Sequence, residues 1–131
     1  MYMLDTNAIV MAIRHPDWPI TARIKDHIGK DLCISSITYG ELVYGIQKSS
    51  DPERNRIATI QVLLGIQILD FDSAAAEKFG EIFADLEKRG RRIGDRDMLI
   101  AAHAKSLGYT LVTNNVREFS RVSELVIEDW K

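Results

Sequence analysis

Five short apolar runs punctuate the chain: Tyr2-Met3-Leu4, Leu32-Cys33-Ile34-Ser35, Ile66-Gln67-Ile68-Leu69, Thr110-Leu111-Val112-Thr113 and Leu125-Val126-Ile127. Each has the length of a buried strand, and each of the first four precedes a stretch patterned as a helix. The helices are predicted at about Asn7 to Arg14, Pro19 to Gly29, Thr38 to Gln47, Pro52 to Leu64, Ala74 to Arg89 and Arg96 to Leu107. In Ala74 to Arg89, the residues Ala75, Phe79, Ile82, Phe83 and Leu86 form one apolar stripe while Glu81, Asp85 and Lys88 fall off it, so that face is core. Strands alternating with helices predict an α/β domain with a mainly parallel central sheet flanked by helices. His15-Pro16-Asp17-Trp18-Pro19 reads as a turn and Arg89 to Gly94 as a basic loop between two helices. Neither reads as a linker and no repeat is visible, so residues 1–131 are expected to form a single domain.

Composition narrows the function classes. With 46% hydrophobic and 27% charged residues, the chain has the make-up of an ordinary globular domain. A formal net charge of -2 excludes a general polycation, so any contact with nucleic acid must be local. The single cysteine, Cys33, lies in an apolar run and cannot form an intrachain disulfide, which fits a reducing cytosol. The longest apolar runs, Ala8 to Ile13 and Val62 to Ile66, fall far short of a bilayer span. A cytoplasmic protein without a membrane anchor is expected.

The candidate chemistry lies in where the acids fall. Asp5 directly follows the first strand, Glu41 sits early in the helix after the second, and Asn115 lies just beyond the fourth. In open parallel sheets that edge is where ligands bind. Asp97 joins them if its helix begins on the same rim, as an antiparallel return of the preceding helix requires. Each acid has a structural alternative. Asp5 has the position of a helix N-cap, Glu41 follows Thr38 at capping-box spacing, and Asp97, like Asp95, suits the first turn of a helix. Together, however, converging carboxylates repel one another unless a cation holds them. Acids with an amide nearby, and no cysteine or histidine at ligand spacing, suit Mg²⁺ or Mn²⁺ rather than zinc.

Four segments in this order resemble the VapC toxins, PIN-domain ribonucleases of bacterial type II toxin–antitoxin pairs. They are Met3-Leu4-Asp5-Thr6-Asn7; Ile34 to Thr38 with Glu41-Leu42 and Tyr44-Gly45; Gly94 through Asp97 to Ile100-Ala101-Ala102-His103-Ala104; and Thr113-Asn114-Asn115 with Glu118-Phe119. The resemblance implies a PIN-domain fold and a metal-dependent endoribonuclease. Its core acids would be Asp5, Glu41 and Asp97, with Asp5 and Asp97 as direct metal ligands. Glu41 would ligate through water or orient the nucleophile. Asn115 stands where many relatives place a fourth acid, which leaves one or two metals open. Thr6, Asn7 and Thr113 match as neighbours that orient the acids. The resemblance further implies tRNA cleavage in the anticodon stem-loop, initiator tRNA above all, with inhibition of translation. It also implies a homodimer, possible higher assembly, and a VapB antitoxin that covers the site.

Other residues carry weaker readings. Lys88, Arg89, Arg91, Arg92 and Arg96 form the densest basic run, suited to RNA phosphates or simply to a solvated face. Trp18, Tyr39 and Tyr44 can stack on bases, though core or partner contacts are commoner for such residues. His103 is expected to be structural, and His15 and His27 lie in contexts that give no reason to name them ligands. The helix Thr38 to Gln47 has a second stripe available to a partner. Three other readings stand beside the ribonuclease: an inactive PIN-like binding module, a flap-type DNA nuclease, and a phospho-acceptor receiver domain.

Overall fold

A computed structural model describes residues 1–131. The elements follow in the order β1 (Tyr2–Leu4), α1 (Thr6–Arg14), α2 (Pro19–His27), β2 (Leu32–Ser35), α3 (Ser36–Lys48), α4 (Pro52–Leu63), β3 (Gln67–Leu69), α5 (Ser73–Lys88), α6 (Asp95–Leu107), β4 (Thr110–Val112), α7 (Val116–Phe119) and β5 (Ile127–Glu128). The five strands form one sheet in the order β3-β2-β1-β4-β5, and every pairing is parallel. The expected α/β architecture with a central parallel sheet is therefore present.

The strands alternate their side chains between two cores, as a pleated ribbon must. Met3, Cys33 and Leu111 face one core with Ile82 and Leu86 of α5, Met98 and Ala101 of α6, and Phe119. Leu4, Ile34 and Val112 face the other, with Ala8, Ile9 and Ala12 of α1, Ile20 and Ile24 of α2, Leu42 of α3 and Trp130. Helices thus cover both faces, which is why the strands are near-continuous apolar runs. Ala75, Ile82 and Leu86 are buried along α5, with Phe79 and Phe83 half-buried beside them, in line with the apolar stripe.

Side-chain caps explain why four helices start where they do. Asp5 accepts from the Ala8 amide at 2.8 Å, Ser35 from Ile37 at 3.1 Å, Asp51 from Arg54 at 3.2 Å and Asp72 from Ala75 at 3.0 Å. Helix α6 ends at Gly108, whose φ of 68° closes the helix in the left-handed conformation natural to glycine.

Three boundaries correct the sequence reading. Helix α3 begins at Ser36, two residues before the expected Thr38, because the Ser35 hydroxyl caps it. No Thr38–Glu41 capping box forms, and the Glu41 carboxylate is directed elsewhere. A short helix, α7, follows β4 without having been given bounds, since four residues cannot display a helical period. The last strand lies at Ile127–Glu128 rather than Leu125 to Ile127, after Glu124 takes a φ of 62° and turns the chain.

The order of the sheet also fixes where a site can form. From β1 the chain builds outward through β2 and β3, then crosses to the opposite side of β1 to add β4 and β5. The strand order reverses between β1 and β4, and side chains at the carboxyl ends of those two strands flank the crevice that results.

Candidate active site

Asp5 and Thr113 emerge at that crevice, one residue beyond β1 and β4. The two strand ends are tied together, because the Asp5 amide donates to the Val112 carbonyl at 3.0 Å. Asp5 is only 4% exposed and Thr113 only 1%. Burial pushes the Asp5 carboxyl up to about 6 from an ordinary 3.8. Hydrogen bonds from the Thr113 hydroxyl and the Ala8 amide act in the opposite sense, while the negative charges of Asp97 and Glu41 raise it further. The N-cap role considered for Asp5 is therefore real, but it does not exhaust the residue: one oxygen caps α1 and the carboxyl still lies in the field of two other acids.

Asp97 reaches the same rim from the first turn of α6. Its position requires α5 and α6 to run as an antiparallel pair, and these two helices form the most extensive helix–helix packing in the molecule. Burial raises its carboxyl above the usual range, and the charges of Glu41 and Glu118 add to this, partly opposed by Arg96. Asp95, two residues earlier, is solvent-facing and pairs with Arg92 at 3.2 Å. It lies in the first turn next to the N-cap residue Gly94, and its side chain caps nothing.

Glu41 is held at both oxygens. The Thr6 hydroxyl donates to Oε1 at 2.6 Å, and Arg96 Nε lies 3.0 Å from Oε2. Glu41, Gly94, Asp95, Arg96 and Asp97 line an open cleft of about 340 Å³. Thr6 thus orients one acid and Thr113 another, whereas Asn7 is exposed and bonds to none of them.

Asn115 caps the entrance of α7 by backbone geometry, and its amide donates to Glu118 Oε2 at 3.2 Å. Its own backbone amide donates to the Thr113 hydroxyl at 2.9 Å. Glu118 is the acid the sequence reading passed over as a site residue, although it was part of the motif. Beyond that motif its only signal was its place as the third residue of a segment too short to show a face. In the structure its charge acts on Asp97.

The basic loop is divided. Arg89 is committed to Asp85 at 2.6 Å and to the Arg121 carbonyl at 2.6 Å, and Arg92 lies over the Phe83 ring as well as pairing with Asp95. Arg91 is exposed, and only Arg96 lines the acid cleft. Trp18 stacks on His15, and His27 pairs with Asp31 and stacks on Trp130. His103 is buried at 2% exposure and shares a 2.8 Å hydrogen bond with Ser35, the cap of α3. Burial lowers its pKa and keeps it neutral, as a structural histidine should be. Cys33 is likewise inert, with its thiol pushed up to about 11 by burial.

The donor set fits a hard divalent cation. One buried carboxylate, Asp5, and one half-buried, Asp97, both raised by burial and by neighbouring acids, would be relieved by a positive charge. No three such side chains stand together in a ligating arrangement, since Glu41 is turned to Thr6 and Arg96. A magnesium-type ion needs no more than one or two carboxylates and keeps several waters, so Asp5 and Asp97 suffice.

Comparison with known proteins places this geometry in a family. Residues 2–125 match the PIN domain. The chain is 48% identical over 130 residues to Ribonuclease VapC2 of Haemophilus influenzae, covering 98% of this chain and 97% of that protein. It is 45% identical over 129 residues to the tRNA(fMet)-specific endonuclease VapC of Shigella flexneri, with 98% and 97% covered. DNA-bound VapBC from Salmonella typhimurium superposes with a TM-score of 0.93 at 42% identity over 99% of this chain and 98% of that one. VapBC2 from Rickettsia felis, bound to a promoter DNA fragment, gives 0.92 at 39% identity, with 99% and 98% covered. No helix is long and apolar enough to cross a membrane. The chain belongs to the PIN-domain family and, within it, to the VapC ribonucleases.

Proposed function

We propose that this chain is the toxin of a VapBC pair, a Mg²⁺- or Mn²⁺-dependent endoribonuclease that hydrolyses tRNA phosphodiester bonds and so inhibits translation. The observation that carries the reading is Asp5: a carboxyl 4% exposed, lifted to about 6, in the field of Asp97 and Glu41 at the switch point of a parallel sheet. When charged, such a group costs the fold stability, and it is well suited to holding a cation. Initiator tRNA is the favoured substrate, because the Shigella flexneri relative named for it shares 45% identity over nearly the whole chain.

Asp5 and Asp97 would hold the metal, which when bound neutralises phosphate charge and lowers the pKa of an attacking water. Glu41, steadied by Thr6, orients that water or takes its proton. Glu118 and the Asn115 amide border Asp97 and adjust the charge around it. Arg96 at the cleft, with Arg91 and Arg92 beside it in the loop, supplies local positive charge for RNA phosphates on a chain whose net charge is -2. Arg89, engaged with Asp85 and Arg121, contributes least.

A VapB antitoxin is the expected partner, as in the superposing VapBC structures. An apolar groove of about 450 Å³ between α1, α2 and α4 offers it a seat, lined by Ala12, Ile13, Ile24, Ile28 and Val62. The exposed Ile57, Ile60 and Leu64 extend that apolar surface along and beyond α4. Homodimerisation of the toxin is part of the same reading.

The test is cleavage of total tRNA and of an unstructured RNA by antitoxin-free protein, with Mg²⁺, Mn²⁺ or EDTA, alongside Asp5→Asn and Asp97→Asn. Discrete tRNA fragments that vanish with chelator, and fall by at least about a hundredfold in both variants, are expected. Cleavage unchanged in the variants points to a contaminant, and intact RNA from folded protein leaves a binding module.

A further inference from the structure

Thr38 is 0% exposed, yet its hydroxyl bonds to no backbone group. Thr59, another buried threonine on a helix, shows the commoner arrangement, in which the hydroxyl donates to the carbonyl four residues back, here Asn55 at 2.8 Å. The Thr38 hydroxyl instead meets a side chain 32 residues away, Thr6 Oγ1, at 3.4 Å, and has no other partner. Thr6 is the first residue of α1, directly after Asp5, and its Oγ1 lies 2.6 Å from Glu41 Oε1. Glu41 follows Thr38 by three residues on α3, so side chains from two helices stand in series: Thr38, Thr6, Glu41.

Resting on the ribonuclease reading above, in which Glu41 orients the attacking water or takes its proton, we propose that Thr38 is a positioning residue that acts on Glu41 through Thr6. Counting protons gives the series its direction. Glu41, paired with Arg96 at 3.0 Å, is a carboxylate and only accepts. The single hydroxyl proton of Thr6 is therefore spent on Oε1, the shorter of its two contacts, and in the longer one Thr38 is the donor. At 3.4 Å that bond is weaker than a hydroxyl pair at the usual ~2.7–2.8 Å, but the buried hydroxyl has no other partner for its proton. With a donor already on Thr6 Oγ1, the Thr6 rotor keeps its own proton on the carboxylate, and each bond polarises the next. Oε1 is thus held from inside the protein, while Oε2 meets Arg96 at the cleft.

The kcat and KM for tRNA cleavage in Mg²⁺ are measured on the antitoxin-free full chain for wild type, Thr38→Val, Thr38→Ser, Thr6→Val and the variant with both valines, each shown to be folded. Valine keeps the shape and removes the hydroxyl, so Thr38→Val is expected to lower kcat by about three- to tenfold and to leave KM unchanged. Thr38→Ser keeps the hydroxyl and loses a buried methyl. It should melt at a lower temperature and still retain most of the wild-type kcat, which a purely structural role would not allow. In the Thr6→Val background, Thr38→Val should change kcat by less than about twofold, because its route to Glu41 is gone. Wild-type kcat in Thr38→Val overturns the proposal, as does a full further loss in the double variant or a serine variant as slow as the valine one. Crystals of the same proteins grown in EDTA give a reading independent of cleavage: one Glu41 carboxylate conformer in wild type and Thr38→Ser, and more than one in Thr38→Val. A single unchanged conformer in Thr38→Val also overturns the proposal. If wild type cleaves no RNA, the ribonuclease reading fails by itself, and these conformers decide for or against Thr38.

Discussion

Asp5 is both a helix cap and a buried carboxyl, and the two roles act on its proton in opposite directions. The cap and Thr113 favour the charged form, while desolvation and the neighbouring acids favour the neutral one and prevail, so the folded pKa stands near 6 against 3.8. A carboxyl raised on folding contributes stability that is full below pH 3.8 and is lost as the pH climbs through 6. A shift of this size corresponds to about 3 kcal/mol by pH 7.5 in the absence of metal. Asparagine caps a helix as well as aspartate and carries no charge. Asp5→Asn should therefore stabilise the metal-free protein by about 2 kcal/mol at pH 7.5. Little of that gain should survive at pH 4. Urea denaturation in EDTA at both values checks this, and a variant that is less stable at both would show that Asp5 is compensated in a way these contacts do not reveal.

At the scale of elements, α7 is the shortest helix and the one that brings the extra acid. Asn115 Nδ2 donates to Glu118 Oε2, so the amide partly screens that carboxylate from Asp97. Asn115→Asp replaces a donor by a like charge. It should cost the metal-free protein about 1 kcal/mol, seen as a lower melting temperature in EDTA, and the deficit should close or reverse as Mn²⁺ is added. A lower melting temperature by the same amount with and without Mn²⁺ would separate α7 from the metal site. The same element shows where sequence reading stops. Asp5 and Asp97 were legible because a strand end and a first helical turn are visible in the apolar pattern, and the parallel sheet brings such ends to one edge. Glu118 was not, since α7 spans one turn and Phe119 is its single buried residue. Thr38 and Glu41 have capping-box spacing, yet Ser35 takes the cap because Ser36 and Ile37 already continue the helix. The partners of Glu41, Thr6 and Arg96, lie on two other helices, and no local pattern announces contacts across such separations.

For the whole molecule, the relevant fact is that Asp5, Glu41 and Asp97 come from α1's cap, α3 and α6 and meet only because the chain crosses from one side of β1 to the other. An unfolded chain has no such assembly, so whatever free energy a cation gains at the site appears as stability of the entire fold. At a metal concentration one hundred times its Kd the gain is about 2.7 kcal/mol, or a rise of roughly 10 °C in melting temperature for a domain of this size. The sign with pH follows from the raised carboxyls: Asp5 must lose a proton to act as a ligand, so protons compete below about 6 and the gain shrinks at pH 5. Asp5→Asn and Asp97→Asn should remove most of it at either pH, because each deletes one of the two donors proposed for the ion. Thermal melts of the three proteins with EDTA and with Mn²⁺, at pH 5 and 7.5, decide the matter. A rise of equal size in all three would place the cation elsewhere on the acidic surface, and a larger rise at pH 5 would exclude Asp5 as a ligand whatever the position of the metal.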